Sequence, residues 1–231
     1  MSAIADLLRK VPFLGALEPG DREALAAAVS HRRFRRGDII FQREDDGQAL
    51  FIVESGGVRV YFPGVQGSDL TLAVFGPGDF FGEMSLLDGR PRSASAVATL
   101  DTVVVALERS DFMALLTSRP AAALSVLEVV SRRLRDADEM ASDLAFLDVG
   151  ARVAKKLLDL AASHGRSTPA GTLLDLPLTQ EELANMIGVT RESVNRNLSE
   201  FRRLGLVGNQ GRKFVILDPE GLRLRSEAPG S

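Results

Sequence analysis

The chain has 231 residues, of which 45% are hydrophobic and 26% are charged, and its formal net charge is −3. It has no cysteine and only two histidines, His31 and His164, which excludes disulfides, iron–sulfur clusters and cysteine nucleophiles and argues against a His-rich metal site. No apolar run approaches the roughly 20 residues that span a bilayer, and no signal peptide is evident, so we expect a cytoplasmic protein.

The charge is unevenly distributed along the chain. Residues 1–149 carry 16 Lys and Arg against 22 Asp and Glu, a net of −6, whereas residues 150–231 carry 12 against 9, a net of +3. A basic C-terminal part is a first indication that this part meets a polyanion.

Short helices followed by a barrel of strands are predicted in the first hundred residues. Residues 1–30 are rich in the helix formers Ala and Leu. The following runs are β-branched or aromatic and are separated by glycines: DIIFQ, ALFIVE, GVRVYF, LTLAVF and ATLDTVVVAL. Many short strands at nearly even spacing predict an antiparallel barrel or jelly roll over residues 31–108.

A long helix is predicted next, because no Gly or Pro interrupts Ala121 to Leu147. Its apolar residues follow a heptad seam: Leu127, Val130, Leu134, Ala137, Ala141 and Leu144. Such a seam packs either on the chain's own barrel or in a parallel coiled coil between two protomers. The helix is too long for the barrel to cover completely, so we favour the dimer.

We expect a hinge between Phe146 and Gly150, with the helix interrupted at Gly150, because glycine inside a helix costs about 1 kcal/mol relative to alanine. A second helix is expected from Ala151, followed by a loop, SHGRSTPAGT. The predicted domains are residues 1–109 for the barrel with its N-terminal helices, 110–149 for the dimerisation helix and hinge, and 150–231 for a C-terminal domain.

The stretch LTQEELANMIGVTRESVNRNLSEFRRLGLV predicts a helix-turn-helix. Thr179 and Glu182 form a capping box, Gly188 ends the first helix, and Thr190 caps the second. The sequence LGLVGNQGRKFVIL then predicts a strand–turn–strand wing. The start of the second helix in this motif reaches base edges in the major groove. The alternative is an ordinary solvated charged surface.

The order of these features resembles the CRP/FNR family of bacterial transcription regulators over nearly the whole chain. The most specific motifs are FGEMSLL…PRSA and TRESVNR, with support from RRGDIIFQ…LFIVESGGVRVY and the FLDV hinge. The resemblance implies an α+β fold with an N-terminal β-roll, which is a jelly-roll cyclic-nucleotide-binding domain, a long dimerisation helix and a C-terminal winged helix-turn-helix. It implies a homodimeric DNA-binding regulator under allosteric control by a cyclic nucleotide, with cyclic AMP first, and neither a metal nor catalysis.

The resemblance implies that the first motif, FGEMSLL…PRSA, binds the effector. Gly82 and Glu83 would meet the ribose, Arg92 would pair with the cyclic phosphate, and Ser93 would hydrogen-bond that phosphate, while Met84 and Ser85 complete the site. An Arg fork suits phosphate oxygens, and a carboxylate accepts from a hydroxyl. The alternative is a Glu83–Arg92 salt bridge that closes a barrel loop. The salt bridge and the ligand site are compatible if the pair forms in the empty protein and separates when the ligand binds.

The part of the site that would contact the base departs from the family pattern. Aligning on LAFLDV places Ala137 and Asp138 where the cyclic-AMP member has Thr and Ser, and Ala137 has no hydrogen-bonding side chain. Asp138 can accept from an adenine amino group or from guanine N1–H and N2–H, or it can be solvated. Cyclic GMP, a cyclic dinucleotide and an effector-independent regulator controlled by abundance therefore stay open as alternatives.

The second motif carries the DNA contacts. Arg191, Glu192 and Arg196 match the base-reading positions of the cyclic-AMP type, which implies palindromic double-stranded DNA with TGTGA-like half-sites. The candidates for phosphate or neighbouring contacts are Thr190, Ser193, Asn195 and Arg203. RNA polymerase is a further expected partner, and no membrane is expected.

The composition argues against two other classes of protein. A haem sensor would need an axial ligand from the two histidines. A cupin-type enzyme would need clustered His and carboxylates, whereas the barrel region has a single His at its edge. We therefore expect neither.

Overall fold

A computed structural model describes residues 3–15, 17–64, 69–176 and 178–227. The chain divides into two units, the first comprising residues 1–62 and 72–135 and the second comprising residues 63–71 and 136–231. Each unit has its own hydrophobic core. The α+β fold expected from the sequence is confirmed, with a β-rich N-terminal part, a long helix and a C-terminal helix-turn-helix with wing strands.

The first unit begins with helices and continues as a β-roll. The helices are α1 (Ala3–Lys10), α2 (Pro12–Gly15) and α3 (Pro19–Ala28). The strands are β1 (Ser30–Phe34), β2 (Ile39–Phe41), β3 (Ala49–Ser55), β4 (Val58–Phe62), β5 (Leu70–Phe75), β6 (Phe80–Phe81), β7 (Ser95–Ala98) and β8 (Thr102–Glu108). They form two sheets, in the orders β1-β8-β3-β6 and β2-β7-β4-β5.

The alternation of side chains along β3 builds two cores from one strand. Leu50 and Ile52 pack against the helices, whereas Phe51 and Val53 face the space between the two sheets. Because both faces of this strand are covered, its sequence ALFIV reads as a continuous apolar run.

Helices α5 (Arg109–Ser118) and α6 (Pro120–Phe146) follow the roll. Ala122 and Val126 of α6 are buried against the helical core of the first unit, and Val130 is partly buried there. Leu127 and Leu134, in contrast, are 59% and 62% exposed in the single chain. The barrel therefore covers one surface of α6 and leaves most of the heptad seam uncovered.

No single helix within the described ranges is long and apolar enough to cross a membrane. Helices α5 and α6 meet the length and composition only when taken together, and they are bent by 113° relative to each other.

Beyond the end of α6, the described part of the second unit contains four helices and one sheet. The elements are α7 (Val149–His164), β9 (Gly165–Thr168), β10 (Gly171–Leu174), α8 (Gln180–Ile187), α9 (Arg191–Arg203), β11 (Val207–Gln210), β12 (Lys213–Ile216) and α10 (Pro219–Ser226). The strand order is β11-β12-β10-β9. The wing expected over β11 and β12 is confirmed, whereas the loop expected over residues 163–172 is wrong, because β9 and β10 pair there as an antiparallel hairpin.

The helix break lies inside the expected hinge, residues 146–150, but not at Gly150 itself. The break lies at Leu147 and Asp148, and Gly150 sits in the first turn of α7. The Asp148 carboxylate accepts a hydrogen bond from the Ala151 N–H at 2.7 Å, and this N-cap starts the helix before the glycine.

Candidate functional site

The polar residues of the first motif lie between β6 and β7, in a turn and the short helix α4 (Met84–Asp88). Gly82 begins the turn with φ of +82°, in the region that favours glycine. A Cβ at Gly82 would lie 2.7 Å from Arg92 Nη1, and a Cβ at Gly47 would lie 2.3 Å from Ser85 Oγ. Two glycines therefore let backbone approach the Arg92 side chain closely.

Arg92 is only 5% exposed. Its Nη1 donates to the Gly82 carbonyl at 2.6 Å and to Ser85 Oγ at 2.9 Å, and its Nη2 donates to the Ala49 carbonyl at 2.6 Å. Its guanidinium lies over the Phe41 ring, and its Nε is buried without a partner. Burial lowers the pKa of Arg92, while the nearby Glu83 carboxylate opposes that shift. A buried cation that donates only to neutral acceptors retains the capacity to bind an anion.

Glu83 is 2% exposed and is held by a residue that the sequence reasoning did not single out. Its Oε1 accepts from Nη1 of Arg133 on α6 at 2.7 Å. Its Oε2 is buried without a partner. The alternative of a Glu83–Arg92 salt bridge is therefore wrong in this conformation, because the carboxylate pairs with α6 instead.

Arg133 lies on the surface of α6 that faces the β-roll. Its Nη2 donates to the Phe80 carbonyl, and its guanidinium lies 4.8 Å from the Phe75 ring centroid and 4.9 Å from that of Phe80. The signal in the sequence is the helical spacing: Arg133 follows Val126 by seven positions and so falls on the same stripe of α6. The structure shows that Val126 is buried, which places this stripe against the β-roll.

The predicted effector residues fall into three groups. Gly82, Glu83, Ser85 and Arg92 are brought together around the turn. Met84 and Ser93 are exposed, and the Ser93 hydroxyl donates to the Met84 sulfur at 3.7 Å. Asp138 belongs to the second unit and is exposed on α6.

This arrangement has the chemistry for a small ligand that carries both an anionic group and a hydroxyl. Arg92 offers a cation whose Nε is unsatisfied, and Glu83 offers an unsatisfied carboxylate oxygen. Buried polar atoms without partners are costly, so a ligand that supplies the missing acceptor and donor gains their desolvation energy. Within the described ranges, no group of three or more His, Cys, Asp or Glu could hold a metal ion.

In the second unit, the caps predicted for the helix-turn-helix are confirmed. Thr179 Oγ1 accepts from the Glu182 N–H at 3.1 Å, and the Glu182 carboxylate accepts from the Thr179 N–H at 2.7 Å. Gly188 ends α8 with φ of +67°. Thr190 Oγ1 then accepts from the Ser193 N–H at 3.3 Å and starts α9.

Helix α9 separates an apolar face from a charged one. Val194, Leu198 and Phe201 are fully buried in the core of the second unit. The predicted DNA contacts on the other face are exposed, apart from the half-buried Ser193: Thr190, Arg191, Glu192, Asn195, Arg196 and Arg203. Thr190 and Ser193 use their hydroxyls at the cap, where the two oxygens lie 3.1 Å apart. The exposed residues at the start of the helix include Arg and Glu, and side chains of these types can hydrogen-bond to base edges in the major groove.

Comparison with known proteins agrees with this division of the chain. The family model for the cyclic nucleotide-binding domain matches residues 31–119, and the model for the Crp-like helix-turn-helix domain matches residues 151–225.

Two relatives and one solved structure are similar over most of the chain. The CRP-like cAMP-activated global transcriptional regulator of Mycobacterium tuberculosis is 33% identical over 221 residues, which cover 96% of this chain and 99% of the relative. The cyclic AMP receptor protein of Thermus thermophilus is 39% identical over 196 residues, which cover 85% and 88%. The c-di-GMP responsive global regulator CLP of Xanthomonas campestris superposes with a TM-score of 0.75 at 28% identity, covering 86% of this chain and 99% of that one.

Proposed function

The chain belongs to the CRP/FNR family of transcription regulators, and we propose that it acts as a homodimer whose affinity for palindromic DNA is controlled by a cyclic nucleotide bound at Glu83 and Arg92. It is thus a DNA-binding regulator with a cyclic nucleotide-binding domain, in a family that is not enzymatic. The identity of the effector, the dimer and the DNA sequence are the proposed parts. A bacterial regulator of this kind works in the cytoplasm, where the DNA lies.

One observation carries the proposal for the effector: a buried guanidinium with neutral acceptors lies beside a buried carboxylate with one unsatisfied oxygen. The cyclic phosphate would bind Arg92 and the exposed Ser93, and the ribose hydroxyl would donate to Glu83 Oε2. Gly82, Met84 and Ser85 would line the rest of the nucleotide site. Arg133 would keep Glu83 Oε1 occupied and thereby present Oε2 to the sugar.

Cyclic AMP is the first candidate, because the Mycobacterium tuberculosis and Thermus thermophilus relatives, at 33% and 39% identity, are named for it. The similar structure from Xanthomonas campestris is named for c-di-GMP, which keeps a cyclic dinucleotide as the alternative, beside cyclic GMP. Ala137 and Asp138, the positions that would contact the base, do not decide among these candidates, because a carboxylate accepts from the amino group of adenine or guanine.

The exposed seam of α6 supports the dimer. Leu127 and Leu134 expose more than half of their side chains in the single chain, as does Leu124. Burying such leucines against a second α6 would contribute about 1.5–3 kcal/mol for each side chain fully buried. Since Arg133 joins this helix to the effector loop, a ligand that changes the Glu83–Arg133 contact would bias the seam, in proportion to its affinity difference between the two states.

In the DNA complex, Arg191, Glu192 and Arg196 would read base edges from the start of α9. Two such helices about 34 Å apart fit successive major grooves of a palindromic site. We keep residues 110–149 as the dimerisation segment and residues 150–231 as the DNA-binding domain. RNA polymerase is the proposed further partner.

Thermal melting with cyclic nucleotides tests the effector site. Cyclic AMP at 100 times its Kd should add about 2.7 kcal/mol of stability to the wild type. Arg92→Leu should abolish this ligand-dependent gain, whereas Arg90→Leu, an exposed neighbour in the same loop, should keep it. Arg92→Leu also loses three structural hydrogen bonds, so each variant is compared with itself, with and without ligand. No gain with any cyclic mono- or dinucleotide at millimolar concentration would favour the effector-independent alternative.

A further inference from the structure

The last helix of the described chain is tied to the first turn of α7 by one ion pair. Nη2 of Arg225 on α10 lies 3.0 Å from both carboxylate oxygens of Asp148. The same carboxylate caps α7 at Ala151. Leu222, one turn before Arg225, is fully buried in the core of the second unit, so these two side chains dock α10 through one face.

Gly150 shows how closely these elements approach. A Cβ at this position would lie 2.1 Å from Arg225 Nη2 and 2.7 Å from Asn197 Oδ1. The two polar groups therefore border the space that a side chain would occupy. Asn197 belongs to α9, and its Nδ2 donates to the Ser193 carbonyl one turn earlier at 2.9 Å. The Arg225 guanidinium on α10 is thus bonded to Asp148 at the start of α7 and lies close to Asn197 on α9, and its Nη1 is buried without a partner.

We propose that Arg225 is a positioning residue, which holds the DNA-reading helix α9 in a fixed orientation relative to the hinge at Asp148. The proposal rests on the proposed function, since it assumes that α9 reads DNA. The side chain of Arg225 is 25% exposed and that of Asp148 is 33% exposed. A partly buried ion pair of this kind is screened less by water and salt than a fully exposed pair.

Arg225 should therefore affect the preference of the protein for its cognate DNA sequence, and not its affinity for DNA of any sequence. A bidentate contact between a side chain and a base depends on placement and angle, whereas a phosphate contact tolerates displacement. Releasing α9 from the hinge would therefore weaken the cognate complex and leave sequence-independent binding almost unchanged.

The test compares Arg225→Met with Arg223→Met. Arg223 lies on the same helix, where it pairs with Glu220 on the exposed surface, so it matches the loss of charge without the contact to the hinge. Fluorescence anisotropy would give the affinities for a palindromic TGTGA duplex and a scrambled duplex, at saturating cyclic AMP and several salt concentrations. Arg225→Met should lower cognate affinity about tenfold or more, with the scrambled affinity and the salt dependence unchanged. Arg223→Met should keep the wild-type ratio of the two affinities.

Two results would overturn the proposal. One is an Arg225→Met protein whose ratio equals that of Arg223→Met. The other is a parallel loss on both duplexes with a salt slope lower by about 1, which is the signature of a direct phosphate contact. A wild type that prefers neither duplex contradicts the proposed function itself, and so the two failures are distinguishable.

Hydrogen exchange supplies a readout that needs no DNA. Arg225→Met should speed exchange in peptides that cover residues 147–152 and 191–203, whereas Arg223→Met should not. If Arg225→Met fails to fold by circular dichroism, Asp148→Asn replaces it, because Asn still caps α7 but cannot form the ion pair. An Asp148→Asn protein with wild-type discrimination between the duplexes would then refute the inference.

Discussion

Replacing Arg133 with methionine should destabilise the first unit, although Arg133 lies on a helix whose other surface is exposed. The side chain joins α6 to the β-roll through Glu83 and through the Phe80 carbonyl. Methionine keeps the stem of the side chain and removes its charge. Glu83 is then left buried with neither carboxylate oxygen paired.

The size of the effect follows from these contacts. Breaking a buried ion pair by removing one partner costs about 3–5 kcal/mol. The Arg133 side chain is 29% exposed, whereas that of Glu83 is 2% exposed, so the lower end of the range applies. At roughly 2–4 °C for each kcal/mol in a protein of this size, a loss of about 3 kcal/mol lowers Tm by about 6–12 °C.

The assay is thermal and urea unfolding of Arg133→Met, Glu83→Gln and the double variant. The double variant should cost less than the sum of the single ones, by about 1 kcal/mol or more, since it leaves no unpaired carboxylate buried. Arg132→Met, an exposed neighbour on the same helix, is the control and should change stability by less than about 0.5 kcal/mol. Additive single effects, or an Arg133→Met protein as stable as the control, would show that the pair does not connect α6 to the roll.

Three further outcomes are expected. Arg196→Ala should weaken binding to a TGTGA duplex by about 1–3 kcal/mol and relax its base preference, measured by anisotropy with base-substituted duplexes; equal weakening on all sequences would make Arg196 a phosphate contact instead. Thr179→Ala should lower the urea midpoint of the second unit by the equivalent of about 0.5–2 kcal/mol, because it removes the capping box of α8; an unchanged midpoint would contradict a stabilising role for this cap. Partial burial favours the neutral form of Asp148, but the hydrogen bonds from Arg225 and the Ala151 N–H outweigh it and lower the pKa of this carboxyl. Its contribution to stability is therefore complete above the unfolded value of about 3.9 and is lost progressively as the pH falls through the lower pKa of the folded protein. Asp148→Asn should therefore lose less stability than the wild type between pH 5 and pH 3, and an identical acid profile would contradict this linkage.

The helix-turn-helix was predictable almost residue by residue because its signals are local. A capping box such as that of Thr179, a left-handed residue such as Gly188 and an N-cap such as Thr190 each act within one helical turn. The amphipathic spacing of Val194, Leu198 and Phe201 then decides which face of the helix is left for DNA.

The elements that were missed depend on partners far along the chain. Strand β1 has the sequence SHRRF and lacks an apolar run, and it forms a strand because it pairs with β8. The hairpin of β9 and β10 lies in a polar segment that predicts a loop, and β10 also pairs with β12. Propensity cannot reveal such pairings, because the neighbouring strand provides the stabilisation.

The effector residues were predicted in part. The sequence identified the charges of Glu83 and Arg92 and assigned them to the effector, with a salt bridge between the two as the alternative, but it did not identify the partner that the structure gives Glu83, 50 residues away on α6. The attribution of the helix break to Gly150 was wrong, because the break lies at Leu147 and Asp148, whereas Gly150 sits in the first turn of α7, close to the side-chain ends of Arg225 and Asn197. The assignment of individual residues to ligand and DNA stays a prediction.

The most direct test of the central claim is a titration of the wild-type protein with cyclic AMP, cyclic GMP and c-di-GMP in separate arms, with the anisotropy of a labelled palindromic TGTGA duplex as the readout. We expect at least one of these nucleotides to raise the affinity for this duplex severalfold or more, with little change in the affinity for a scrambled duplex. In Arg92→Leu, this increase in affinity should be absent. Equally tight and sequence-specific binding in the absence and presence of every nucleotide would contradict control by a ligand in the β-roll.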